Sequence, residues 1–277
     1  MHLEHGAWAS RGRWLLAALL LAGASAEALD RVTFPYPCVE HIHRVAPGVD
    51  AHVVVADLAC GQVEVTSTRP RDRSSTVGTF AHEYGAQIAI NANFYEGSTC
   101  GLALGERTLW RDAYDRGCVA SAAFGPGPAG TLARVFDSTG RVREVPFPWA
   151  WSAVTGRPRL LWGGHTWFDE DEPNGMYRTH PRTALGLTQG GASLVLLVID
   201  GRRAGLPGVT SVEMIPLLEE FGVTDALNLD GGGSSELWIA SEGGVVNRPS
   251  DRHERRVVNH LGLRITSALG QPQPPVP

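Results

Sequence analysis

The stretch LVLLVIDGRRAGLPGVTSVEMIPLLEEFGVTDALNLD, residues 194–230, carries the pattern from which the fold is read. It opens on LVLLVID and closes on ALNLD, two apolar runs that each end on an aspartate, Asp200 and Asp230. Short runs rich in Val, Ile and Leu and bounded by Gly, Asp or Asn read as β-strands. Between them Thr210 and Glu213 stand three residues apart, the spacing of a capping box, so a helix is expected from there to Phe221. Gly222 is its stop, and Pro216 inside it should kink or shorten it. The stretch therefore predicts a strand–helix–strand unit.

Working outward, the same kind of run recurs at HVVVADL (52–58), QVEVTS (62–67), QIAIN (87–91), LWIA (237–240) and VVNHLGLRI (257–265). A second helix is expected over Thr76 to Tyr84, stopped by Gly85. Strands outnumber helices. The expected fold is α+β, a single domain with a mixed β-sheet core and a few flanking helices, spanning 27–266. Residues 101–180 read as loop-rich, with GPGPAG, PFPWAW and FDEDEPNG, and they hold Trp110, Trp149, Trp151, Trp162 and Trp167. Such aromatic faces can stack on sugar rings, although burial is the commoner role of a tryptophan. The tail QPQPPVP, within 267–277, reads as extended and disordered.

Composition limits the partners. The chain has 277 residues, 24 arginines and no lysine, and a formal net charge of −5. That balance argues against broad binding to nucleic acid or to an anionic membrane, so any anion must be held locally. At the N-terminus Arg11 and Arg13 precede WLLAALLLAG, and Ala24-Ser25-Ala26 fits a small-residue cleavage site. This is the pattern of an export signal over 1–26, too short for a stable membrane span. A secreted or periplasmic chain is expected. The four cysteines after it, an even number, then suggest two disulfides with three possible pairings. The short local loops favour Cys38–Cys60 and Cys100–Cys118. A zinc site would be the rival, but no CxxC spacing supports it.

Polar clusters stand at the ends of the apolar runs, where loops on a rigid sheet carry sites. They are Asn91-Ala92-Asn93-Phe94, His180-Pro181-Arg182-Thr183, Asp200-Gly201-Arg202, and Asn228 to Ser235. Asn247-Arg248-Pro249-Ser250-Asp251 and Glu254-Arg255-Arg256 follow. Taken singly each is weak: NLDGGGSSEL (228–237) can be a tight turn or a loop that holds an anion beside a carboxylate. In combination and in this order, over about 85–265, they resemble the phosphodiester glycosidase family. RTALG (182–186), NLDGGGSS (228–235) and the NRPSD run (247–251) carry the resemblance, with Asn91 to Phe94 and Asp200-Gly201 beside them. Glu236 departs from the family pattern, which has a small or hydroxyl residue there, and Pro216 interrupts the helix.

The resemblance implies an exported hydrolase that cleaves the C1–O bond of a sugar 1-phosphodiester or phosphoglycan and releases free sugar and a phosphomonoester. Such a reaction needs a carboxylate beside an oxocarbenium-like centre, and donors or cations for the departing phosphate. On the residues, Asp230 is expected as the catalytic carboxylate, with Asp251 or Glu254 as second acid or base and Asp200 orienting. Substrate or phosphate contacts are expected from Arg182, Thr183, His180, Asn91, Asn93, Asn228, Gly231, Gly232, Gly233, Ser234, Ser235, Arg248 and Ser250. The glycines would let backbone N–H groups approach the phosphate. No cofactor is called for, with calcium or magnesium left open. Two other readings stand beside this one. A metal-dependent phosphodiesterase would gather Asp200, Asp230 and Asp251 on a cation and break P–O instead. A non-catalytic glycan-binding envelope protein would only bind. His41, His43 and His52 read as ordinary surface or core residues.

Overall fold

The structure, a computed structural model, describes residues 28–114, 117–140, 143–167 and 177–266. The expected export signal over 1–26, the tail over 267–277 and all of FDEDEPNG lie outside the described residues.

Three antiparallel sheets make the frame. The largest has eight strands, contributed first by β1 (Leu29–Tyr36), β2 (Val39–Ala46) and β3 (Val49–Asp57). After β4 (Val63–Ser67), helix α1 (Val77–Tyr84) and β5 (Ile88–Asn91), a second sheet is built from five strands. These are β6 (Leu104–Gly105), β7 (Thr108–Leu109), β8 (Ala120–Pro126), β9 (Thr131–Asp137) and β10 (Ser152–Gly156). The chain then returns to the large sheet with β11 (Arg159–Trp162), β12 (His165–Thr166), β13 (Arg182–Thr188) and β14 (Ser193–Ile199). Helix α2 (Met214–Glu219) leads to β15 (Val223–Asn228), followed by β16 (Leu237–Ile239), β17 (Gly244–Val245) and β18 (His260–Ile265). The large sheet runs β1-β2-β3-β14-β13-β15-β11-β12, and the third sheet β17-β16-β5-β18-β4.

The apolar run of β14 is continuous because both of its faces are covered. Leu194, Leu196 and Val198 enter the central core, shared with β5, β8, β16 and β18 of the other two sheets. Val195, Leu197 and Ile199 enter a second core on the opposite face, closed by Met214, Ile215 and Leu218 of α2. Helix α1 covers the outer face of the third sheet, packing Phe80 and Ala81 near Ala89 and Trp238.

The expected fold class holds in part. The chain is mostly β, with two α-helices among the described residues, and the sheets are antiparallel rather than mixed. The strand–helix–strand unit is present: β14 and β15 are both antiparallel to β13, which lies between them, so they run in the same direction. Two strands of one direction need a crossover, and α2 supplies it. The capping box forms, with Thr210 N–H donating to Glu213 at 2.7 Å and Glu213 N–H to Thr210 Oγ1 at 3.2 Å. Pro216 leaves the helix six residues long. The segment read as loop-rich holds β6 to β12, whose two- to seven-residue strands are punctuated by Gly and Pro.

Both favoured disulfides form, Cys38–Cys60 with Cα atoms 6.4 Å apart and Cys100–Cys118 at 5.7 Å. Along the β2–β3 hairpin His43 pairs across from His52, and their rings stack. Burial first, then the neighbouring His43 and His41 rings, push His52 down to about 3. Among the described residues no helix is long and apolar enough to cross a membrane.

Candidate active site

The loop after β15 is held from both sides. Leu229 N–H donates to Thr183 C=O at 2.8 Å, Asp230 N–H to Ala92 C=O at 2.9 Å, and Gly232 N–H to Pro181 C=O at 2.8 Å. Asn91, fully enclosed at the end of β5, knots the three segments. Its Oδ1 accepts from Thr183 Oγ1 at 2.8 Å and from Glu236 N–H at 3.2 Å, while Nδ2 donates to Asp230 C=O at 2.5 Å. The Asp230 backbone is thereby fixed at the point where β5 and β15 end and β13 begins.

The Asp230 side chain is served by its own loop. Gly231 N–H donates to Oδ1 at 2.9 Å and the Ser234 hydroxyl adds a second hydrogen bond. Burial raises the carboxyl above its ordinary range, against the lowering pull of Ser234, Gly231, Arg255 and Arg157.

Guanidinium groups rest directly on this loop, which is why it is made of glycine. Gly232 has φ +65°, and a Cβ there would meet Arg202 Nη2 at 2.7 Å. A Cβ on Gly233 would fall inside the Arg255 guanidinium and against Asp251. Arg255 holds Asp251 with two bonds, Nε at 2.8 Å and Nη2 at 2.6 Å, and reaches Ser234 Oγ from Nη1 at 3.3 Å. Arg182 is buried, with Nε donating to Val209 C=O at 3.1 Å and Nη2 to Arg178 C=O at 2.6 Å. Burial pushes it down to about 10. Burial, then Arg182, Arg202 and Arg178, push His180 below its ordinary value, so its ring stays neutral at pH 7. A chain of net charge −5 thus concentrates arginines around the Asp230 loop.

The other acids have different surroundings. Asp200 is 2% exposed, and its oxygens accept from Asn247 Nδ2 at 2.9 Å, Arg248 N–H at 3.0 Å and Arg203 Nη2 at 2.7 Å. It ties the 247–248 turn to the end of β14, and burial raises its pKa. Glu254 accepts Gly78 N–H at the start of α1, at 3.1 Å, and shares a hydrogen bond with buried Glu236. Burial first, then the charge of Glu254, push Glu236 up to about 8, so the proton of this pair belongs on Glu236.

The remaining expected residues fall into four groups. Asn93 is enclosed and braces Cys100 C=O, Thr155 N–H and Asn259. Asn228 donates to Arg157 C=O at 2.6 Å, and its buried Oδ1, like the Ser235 and Ser250 hydroxyls, has no hydrogen-bond partner. The Arg248 side chain is exposed. The Gly231 and Gly232 amides, expected to face phosphate, are engaged by Asp230 and Pro181. The positive groups around the Asp230 loop that the sequence reading did not assign to the site are Arg157, Arg202 and Arg255. Arg202 and Arg255 sit beside a DG turn and a carboxylate, a pattern open to reading, whereas Arg157 lies 73 positions upstream and is brought in by its pairing with Asn228. Trp110 is fully buried and Trp151 lines a separate cavity of about 500 Å³ with Glu106 and Arg264, to which the Asp230 loop contributes no residue.

Known proteins share these elements. A bovine N-acetylglucosamine-1-phosphodiester alpha-N-acetylglucosaminidase is 29% identical over 193 residues, 65% of this chain and 36% of its own length. An uncharacterized SPbeta prophage-derived protein of Bacillus subtilis (strain 168) is 32% identical over 200 residues, 68% of this chain and 29% of its own. The chain thus spans about a third of the curated relatives it matches. The fold is that of the zebrafish N-acetylglucosamine-1-phosphodiester alpha-N-acetylglucosaminidase catalytic domain, auto-inhibited by its pro-peptide, with TM-score 0.62 at 20% identity over 86% of this chain and 82% of that one. A protein of Burkholderia pseudomallei K96243 superposes with TM-score 0.60 at 15% identity, covering 78% of this chain and 74% of that one. The family model for phosphodiester glycosidases matches residues 84–264, a span that holds Asp230, its glycine loop and every arginine packed around it, and the chain belongs to that family.

Proposed function

We propose that this chain is an exported hydrolase that breaks the C1–O bond of a sugar 1-phosphodiester, N-acetylglucosamine 1-phosphodiester being the first substrate to try. The observation that carries the reading is a half-buried Asp230 under the charges of Arg157 and Arg255, with Arg202 packed on Gly232 of the same loop. A carboxylate in such surroundings suits a substrate with an anionic leaving group and a cationic centre forming next to it. Phosphate departs without needing a proton, so the main demands are a carboxylate for the anomeric carbon and cations for the leaving oxygens.

In this reading Asp230 faces the anomeric carbon, oriented by Gly231 N–H and Ser234. Arg202 and Arg255, with Arg182 behind them, hold the phosphate oxygens, for which a guanidinium offers paired donors. Neutral His180 binds at the edge of the phosphate. Asp251 acts as a positioning residue through Arg255, and Asp200 through the 247–248 turn. Asn91, Asn93, Thr183 and Asn228 hold the frame. The Glu236–Glu254 pair offers a proton donor at neutral pH beside the start of α1. The disulfides and the apolar N-terminal run of the sequence support export. Asp200, Asp230 and Asp251 each face a different set of partners, which gives no support to a shared cation and P–O cleavage.

The test is turnover of a panel of α-sugar 1-phosphodiesters in ¹⁸O-labelled water. The expected result is free sugar carrying ¹⁸O and unlabelled phosphomonoester, abolished in Asp230→Ala. Label in the phosphate, or no turnover of any panel member, refutes the proposal.

A further inference from the structure

His43, Asp50 and His52 stand together on the β2–β3 hairpin, away from the Asp230 loop. His43 and His52 lie directly opposite each other in the ladder, and Asp50 is two residues before His52 on the same face. One ligand atom from each of the three falls within 4.8 Å of the others. His43 Nε2 lies 2.8 Å from Asp50 Oδ1, and the two rings stack with centroids 4.2 Å apart.

With His41 neutral, the hydrogen bonds around them are satisfied by one tautomer of each ring. The Glu242 carboxylate lies 2.9 Å from His41 Nδ1 and is also met by the Thr33 hydroxyl at 2.7 Å, so Glu242 is an acceptor. A neutral His41 then carries its proton on Nδ1 and presents Nε2 as acceptor. His52 Nδ1 is 3.1 Å from that Nε2, so His52 donates from Nδ1. Its Nε2 lone pair is left free. A carboxylate that fixes the tautomer of a ligating imidazole, here relayed through a second histidine, is the usual outer support of a metal site. The far oxygen of Asp50 is held by Arg203 Nη2 at 3.3 Å, which orients that carboxylate too.

We propose that His43, Asp50 and His52 form a divalent transition-metal site, suited to zinc, with solvent completing the coordination. Two imidazole nitrogens and one carboxylate are a ligand set that zinc accepts. On binding, the ion displaces the Nε2 proton that His43 shares with Asp50, and the neutral ring keeps its one proton on Nδ1. His43, 31% exposed, is the ligand free to swing off the stack and bring the nitrogens to the roughly 3.3 Å separation of a tetrahedral ion. No thiolate competes, since there are no free cysteines. The three ligands precede residue 84, so the site stands outside the segment that the family model matches.

The test is calorimetric titration of the untagged, EDTA-stripped full chain with Zn²⁺, with metal content measured after dialysis. Cobalt substitution gives an independent readout through the visible bands of a tetrahedral ion. One equivalent is expected in the wild type, weakened at least about 30-fold in His43→Ala and in Asp50→Asn. Circular dichroism checks that each variant folds, and His43→Gln replaces His43→Ala if that one does not. Less than one equivalent in the wild type, or unchanged binding in folded His43 and Asp50 variants, overturns the proposal.

Discussion

Asp200 and Asp230 begin from the same local sequence and end in different roles. Each follows an apolar strand of the large sheet, each precedes glycine, and the two strands run the same way. Burial raises both carboxyls. What differs is where their hydrogen-bond donors come from. Asp200 is enclosed by Asn247 and the Arg248 amide, almost fifty positions downstream, and by Arg203. Asp230 is served by Gly231 and Ser234 of its own loop, stays partly exposed, and has guanidinium groups around it. A carboxylate whose donors come from a distant segment is a tie between segments. One whose donors come from its own tight turn is left able to face a ligand.

That contrast can be broken by experiment. Asp230→Asn keeps the shape and the Gly231 contact, so melting should change by no more than a few degrees. Turnover should fall about 10³-fold or more, within the range of a lost catalytic carboxylate, as read from kcat on a sugar 1-phosphodiester. Equal losses of stability in both aspartate variants would erase the distinction. Asp200→Ala should instead lower stability by about 3 kcal/mol, because Arg203 and the 247–248 turn lose a buried charged partner. In a chain of this size that is a fall in Tm of about 6–12 °C, measured by calorimetry.

Two smaller effects sharpen the picture. Gly233→Ala places a methyl group inside the Arg255–Asp251 pair. It should cost about 10²-fold in kcat/KM, as expected for losing one charge-stabilising donor; steady-state kinetics on the same substrate would measure it. Glu236→Gln tests the carboxyl pair. Glu236 has its folded pKa raised from 4.5 to about 8. The unfolded chain therefore releases that proton first, and folded stability falls as pH rises between those values, by at most about 1.4 kcal/mol per pH unit. Glutamine carries no such penalty. Urea unfolding should show the two proteins similar near pH 4.5 and the variant more stable at pH 8; a wild type no less stable at pH 8 would exclude a buried neutral Glu236.

Much of the frame was legible where one physical rule acts alone. LVLLVID and ALNLD became strands because both faces of the sheet are buried, and Thr210 with Glu213 formed the expected cap. The cysteines paired over their short loops. Residues 101–167 were misread because strands of two to seven residues broken by Gly and Pro carry little periodicity, and their pairing comes from partners far along the chain. In the site, Asp230 and the glycines were legible from type and order. A further reason for them was not: Gly232 and Gly233 make room for Arg202 and Arg255, and the Gly231 and Gly232 amides are engaged by Asp230 and Pro181. Arg157 could not be found locally, since only the β11–β15 ladder brings its segment beside Asn228.

Arg203 has a consequence that reaches beyond either cluster. One guanidinium bridges Asp50, 3.3 Å away, and Asp200, 2.7 Å away. A cation that takes charge from Asp50 leaves Arg203 more fully to Asp200, and so acts on the turn that carries Arg248 and Ser250. Thermodynamic linkage makes such an influence mutual: if Zn²⁺ alters substrate affinity by some factor, substrate must alter Zn²⁺ affinity by the same factor. Titrating each in the presence of the other would measure that number twice, and Arg203→Ala should bring it to one.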